Sequence, residues 1–113
     1  MAASKRIPSQ LRREAEGVIE RFNREVLGGG EVRYVARFRG PYLYLDRKDF
    51  LGDTWAPICR LEFTGEATDW QFAIYKYSRD IYDPDEWWFP GCDEVDGTIE
   101  GALSAGLAAY PPG

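Results

Sequence analysis

Arg33, Arg37 and Arg39 sit at odd positions of the stretch Val32 to Arg39, whose even positions are apolar or aromatic. Tyr42, Tyr44, Arg60, Tyr75 and Tyr77 follow in similar alternation. Cations interleaved with aromatic rings can stack on bases, grip anionic ligands, or hold one another as cation–π pairs. A second concentration runs from Asp80 to Asp96, where seven carboxylates flank Trp87, Trp88 and Phe89, consecutive aromatics enclosed by Pro84 and Pro90. Oxygen ligands of this kind suit calcium or magnesium, but the spacing does not. An EF-hand loop counted from Asp83 puts Trp88 where glycine is required, and one counted from Asp93 has Val95 at its third position.

Conventional catalysis finds little support. The chain has no histidine, which removes the usual base near neutral pH and the commonest transition-metal ligand. Cys92 stands beside Asp93 and Glu94, whose charge opposes a thiolate. Gly28-Gly29-Gly30 follows a helical pattern instead of joining a strand to a helix, so it serves as a linker and not as a phosphate cradle. Paired carboxylates for sugar hydrolysis would need a cleft that so short a chain does not suggest. No catalytic residue, metal or cofactor is expected, and the Arg/Tyr group and the aromatic triplet stand as the candidate binding surfaces.

The elements that must position them follow from periodicity. Leu11, Ala15, Val18, Ile19, Phe22 and Val26 recur at steps of three and four, one apolar stripe of a helix with Pro8 in its first turn, Ser9 as a possible cap and the three glycines at its end. Val32 to Arg39 reads as a half-buried strand, turned by Gly40-Pro41 into Tyr42 to Arg47. If Arg39 faces Tyr42, then Phe38 faces Leu43, Arg37 faces Tyr44 and Ala36 faces Leu45, so that core meets core and arginine meets tyrosine. Lys48 to Pro57 is an irregular connection, followed by a strand Ile58 to Phe63 with Cys59, Leu61 and Phe63 inward. Trp70 to Tyr77 carries apolar groups on both sides and is expected as an interior strand whose faces are both partly covered, pairing Phe63 with Trp70, Leu61 with Phe72 and Cys59 with Ile74. From Thr98 a thin, glycine- and alanine-rich helix runs to Pro111-Pro112, capped by Asp96 or Thr98. The expected fold is α+β: a four-stranded antiparallel meander with the N-terminal and C-terminal helices on one face. Residues 1–113 form a single domain, with 1–8 and 111–113 as loose ends. The order of helix, antiparallel strands and helix resembles double-stranded RNA binding domains in topology. The second helix here has no lysine or arginine and the chain is acidic, so that function is not carried over.

A chain of 113 residues with 44% hydrophobic content can bury one core without disulfides or metals. No apolar run is long enough for a membrane span or a signal peptide, and Cys59 and Cys92 show no framework spacing, so a cytoplasmic protein with free thiols is expected. The net charge of −5 hides an asymmetry. Up to Lys48 there are eleven basic and six acidic residues, net +5; from Asp49 onward there are three basic and thirteen acidic, net −10. The simplest outcome is that the two halves become neighbours and neutralise each other; the alternative is a dipolar molecule that associates head to tail or with a charged partner.

The expected role is a small non-enzymatic interaction or ligand-binding module, with a protein partner or a homodimer, no membrane and no nucleic acid. Next in order stands a nucleic-acid or anionic-ligand binder using the Arg/Tyr face, and third a carboxylate enzyme. Three exposed rings in a row would be an aggregation hazard, so the triplet is expected to be covered. Either its segment folds back over the sheet, its carboxylates meeting Arg33, Arg37 or Arg39, or a ring reaches a partner, most simply a second copy. In extended chain Trp87 and Phe89 would share one environment and Trp88 another.

Overall fold

The computed structural model describes residues 5–48 and 54–112. Helix α1 (Ser9–Glu25) is followed by strands β1 (Arg33–Arg39), β2 (Tyr42–Lys48), β3 (Ala56–Glu62), β4 (Gln71–Lys76) and β5 (Ile81–Asp83), a 3-10 turn at Cys92–Glu94, and helix α2 (Ile99–Ala109). The strands form one antiparallel sheet in chain order, β1-β2-β3-β4-β5. The sheet therefore has five strands, one more than the sequence pattern suggests. The extra strand is three residues long and hemmed by Asp80 at positive φ and by Pro84, too short for a period of two to register.

Pairing follows the expected arithmetic: Arg39 faces Tyr42, Phe38 faces Leu43, Arg37 faces Tyr44 and Ala36 faces Leu45. Leu61 faces Phe72 and Cys59 faces Ile74, while Phe63 and Trp70 lie just beyond the ladder with their rings 5.2 Å apart. Between β2 and β3 the register slips, because Leu45 faces Cys59 but Asp46 faces Pro57. Ile58 is the extra residue of a bulge, and both Ile58 and Cys59 enter the core. The expected connection Lys48 to Pro57 is shorter than its sequence suggested, since β2 includes Lys48 and β3 begins at Ala56; residues 49–53 of it lie outside the described residues.

Both helices lie on the same side of the sheet. Helix α1 buries Ala15, Ile19 and Phe22, with Leu11 and Val18 packed at the margin. Val26, expected on this stripe, is 58% exposed because the helix stops at Glu25 and the glycines turn the chain away. Ser9 is the first helical residue and Pro8 holds the cap position without a side-chain bond. The approach to α1 is tied down instead of loose: Ile7 is 2% exposed, and the Lys5 and Ile7 N–H groups donate to the carbonyls of Phe63 and Gly40.

Helix α2 comes unusually close to the sheet at Gly106, where an added Cβ would stand 2.5 Å from Tyr34 Oη and 2.6 Å from Ile58 Cγ2. The contact is closed by polar bonds. Tyr34 Oη donates to the Leu103 carbonyl at 2.9 Å, and Arg47, 1% exposed, donates to Tyr34 Oη and to the carbonyls of Gly106 and Tyr110. A guanidinium thus occupies the carbonyl end of α2, where both the free acceptors and the helix dipole favour a cation. Among the described residues no helix is long and apolar enough to cross a membrane.

Candidate functional site

On the face away from the helices, side chains from β1, β2, β3, β4 and β5 converge. Arg37 donates to Asp46 through Nε and Nη2 and lies 4.9 Å over the Tyr44 ring, with Tyr82 Oη 3.5 Å away. Arg60 is held between Tyr42 at 4.5 Å and Tyr82 at 5.6 Å. The rings themselves form a chain of contacts from Tyr42 to Tyr44, Tyr82, Tyr75, Tyr77 and finally Tyr110, at centroid spacings of 4.9 to 5.9 Å. Tyr82 reaches Tyr44 across two intervening strands because Ala73, opposite Arg60, is small. Both faces of β4 are covered as its sequence implied, since Ala73 and Tyr75 are buried on the outer side and Ile74 on the inner.

Electrostatics here are internal to the face. The Asp46 hydrogen bond raises the Arg37 pKa further, and burial, with the charge of Asp46 adding, pushes the Tyr82 hydroxyl up. An incoming anion would have to compete with Asp46 for Arg37 and with two rings for Arg60. Arg33 lies over Trp55 at 5.4 Å, whereas Arg39 projects to solvent beside the β1–β2 turn. Asp46 and Tyr82 belong to this constellation but were not singled out in the sequence. Asp46 could have been found as the diagonal neighbour of Arg37 once the hairpin register is written down. Tyr82 could not, because β5 carries no visible pattern.

The aromatic triplet lies elsewhere. After β5 the chain passes to the helix-bearing side, where Phe89 stacks on Phe72 at 5.7 Å and 18°, and Gly91, at φ 95°, fits against Ala105 and Ala108 of α2. Glu86 bonds Lys76 of β4 and accepts the Trp88 N–H at 3.2 Å; the Lys76 hydrogen bond and that N–H hold its pKa below the usual range. Of residues 80–92, Tyr82 lies on the Arg/Tyr face against Arg37 and Arg60, but among the described residues no carboxylate of the segment pairs with Arg33, Arg37 or Arg39. Glu86 pairs instead with Lys76 and Asp83 with Arg79. The expected pairing of environments is also corrected: Trp87 is 66% and Trp88 89% exposed, while Phe89 alone is tucked in. The prolines and Glu86 bend the segment, so neighbours do not alternate as in a strand. Beside Trp88 runs a groove of about 280 Å³ bounded by Lys76, Pro90 and Tyr110.

The two charge halves meet along the β2–β3 ladder and where Arg21 of α1 pairs with Glu100 of α2, at 3.6 Å between exposed side chains. Neither family models, curated proteins nor solved structures yield a match to this chain.

Proposed function

We propose that this chain is a non-enzymatic protein-interaction module whose docking surface is the Trp87–Trp88 corner beside β5. The observation that carries the reading is two adjacent tryptophans left in solvent on a segment that is itself anchored, by Phe89 on Phe72, by Gly91 on α2 and by Glu86 on Lys76. Rings held this way lose little freedom on binding, and tryptophan is the residue most enriched at the energetic centres of interfaces. Asp85, two residues before Trp87 in the chain, forms no ion pair among the described residues, which favours a partner surface bearing arginine or lysine. Two free thiols, Cys59 and Cys92, support a reducing compartment such as the cytoplasm.

The test is energetic. Trp87→Ser together with Trp88→Ser should leave the unfolding free energy measured in urea within about 0.5 kcal/mol of the parent, as for surface substitutions generally. A loss of about 3–5 kcal/mol, the cost of emptying a buried aromatic site, would mean that the rings belong to the core and would overturn the reading.

A further inference from the structure

Strand β1 ends the sheet, and the bonds that cover its outer side stop part-way along it. It pairs only with β2, and its outward backbone groups belong to Tyr34, Ala36 and Phe38. At Tyr34 the Asn23 side chain takes the place of a neighbouring strand, its Oδ1 accepting the Tyr34 N–H at 2.8 Å and its Nδ2 donating to the Tyr34 carbonyl at 2.9 Å. Past the other end, the Gly40 carbonyl accepts the Ile7 N–H. Between these two plugs the outward N–H and C=O groups of Ala36 and Phe38 have no partner among the described residues. A groove of about 310 Å³ runs beside them between α1 and β1, with Ile19, Ala36 and Phe38 as its apolar lining and Glu16 and Glu20 on its helical wall. Strand β5, the other edge, is three residues long and offers no comparable run.

We infer that β1 takes up an extended segment of a partner protein as an added antiparallel strand, and that this segment alternates carboxylate and apolar side chains. None of the residues involved belongs to the Trp87–Trp88 corner. Directly opposed residues of neighbouring strands put their side chains on the same face of the sheet. Residues opposite Ala36 and Phe38 therefore enter the groove on the helix-bearing side, where Ile19, Ala36 and Phe38 suit apolar groups and Glu16 and Glu20 repel carboxylates. Those opposite Arg37 and Arg39 emerge on the other face, among exposed guanidiniums. Arg37 already holds Asp46, but Arg39, and Arg33 over the Trp55 ring, have no carboxylate partner among the described residues. Each side of the edge accepts what the other refuses, so a slip of one residue would turn every carboxylate of the segment toward Glu16 and Glu20. The same arginines oppose a second copy, since a symmetric β1–β1 pairing would bring like charges together. Strand addition draws affinity from main-chain bonds and selectivity from alternate side chains, and an edge open at Ala36 and Phe38 spans about five residues of a partner.

The probe is acetyl-Glu-Val-Glu-Val-Glu-amide, titrated into the full chain and followed by backbone amide NMR and amide exchange. With peptide the Ala36 and Phe38 amides should carry the largest shifts and exchange roughly tenfold more slowly, and binding should weaken as salt rises from about 50 mM to about 300 mM. Methylating either valine nitrogen, which faces β1, should abolish binding. Methylating the central glutamate nitrogen, which faces away, should leave it. Ala36→Pro removes an outward N–H and spares the ladder to β2, so the folded variant should no longer bind. Arg33→Glu/Arg39→Glu should lose the glutamate peptide and gain its lysine counterpart, acetyl-Lys-Val-Lys-Val-Lys-amide. The inference is overturned by Ala36 and Phe38 amides that do not respond up to about 2 mM peptide, the weak end of specific binding. Equal binding of both peptides to the parent overturns it as well, as does binding that survives methylation of the valines. So does protection of these amides that grows with protein concentration in the absence of peptide, which would put a second copy on the edge. Should Ala36→Pro not fold, the methylated peptides decide the question on the parent chain.

Discussion

At the scale of single residues, the helix-to-sheet contact depends on one missing methyl group. An alanine at Gly106 would collide with Tyr34 Oη and Ile58 Cγ2, and the overpacking cost of about 1–3 kcal/mol outweighs the gain of about 1 kcal/mol in helix propensity. Gly17, in the middle of α1, meets nothing within 4 Å at its Cβ position, so Gly17→Ala should stabilise by roughly 0.5–1 kcal/mol. Urea unfolding of the two variants should therefore give shifts of opposite sign. Arg47 makes the same contact polar. Arg47→Ala would strip donors from the buried end of α2 and should cost on the order of 3 kcal/mol, and Arg47→Lys should restore little, because an ammonium cannot span Tyr34, Gly106 and Tyr110 as a planar fork does. Thermal unfolding of both variants would show it.

At the scale of elements, α2 starts on a short relay. The Thr98 side chain accepts the Gly101 N–H at 3.0 Å, while the Thr98 hydroxyl and N–H both donate to Asp96 Oδ1. Those bonds hold the Asp96 pKa below its ordinary value, chiefly through the hydroxyl. A carboxylate depressed in the fold contributes stability that is complete above its unfolded pKa of roughly 4 and is lost as pH falls through the lower folded value. Glu86 is depressed by Lys76 in the same way and acts in the same acid window. Melting temperature followed from pH 6 down to about 2 should thus fall less steeply in Asp96→Asn than in the parent, and Thr98→Ala should cost about 1 kcal/mol at neutral pH. A parallel slope in the asparagine variant would show that the relay is not what shapes the acid limb.

At the scale of the whole molecule, a net charge of −5 and a sequence pI of about 4.7 suggest a protein that cation exchangers reject. Its layout argues otherwise, because Arg33 and Arg39 stand exposed together on β1, and a charged surface feels such a cluster individually within a Debye length of about 10 Å at 0.1 M salt. At pH 7 and about 20 mM salt the protein should be retarded on a cation exchanger, and Arg33→Ser/Arg39→Ser should abolish that retention while the net charge changes only modestly. Equal elution of parent and variant in the void would show that the charges average out.

The sequence by itself determined most features that rest on local periodicity, though Val26 and the bulged Ile58 escaped it. The hairpin register was legible because a tight Gly40-Pro41 turn sets arginine against tyrosine and core against core, and α2 was legible from its stripe, its Thr98 cap and its terminal prolines. Interior placement of β4 could be read from apolar groups on both of its sides. Tertiary structure alone decided the rest. Where the two charge halves would meet depended on strand order and helix packing, which join them at the β2–β3 ladder and at Arg21 and Glu100. Alternation puts Arg47 on the inward face with Leu43 and Leu45, but only the fold shows what receives it there, the carbonyls at the end of α2, 59 and 63 residues away in the chain. The fate of Trp87 and Trp88 was likewise set by distant anchors, Phe72, Lys76 and Ala108, whose contacts bend the segment and leave its two largest rings in water.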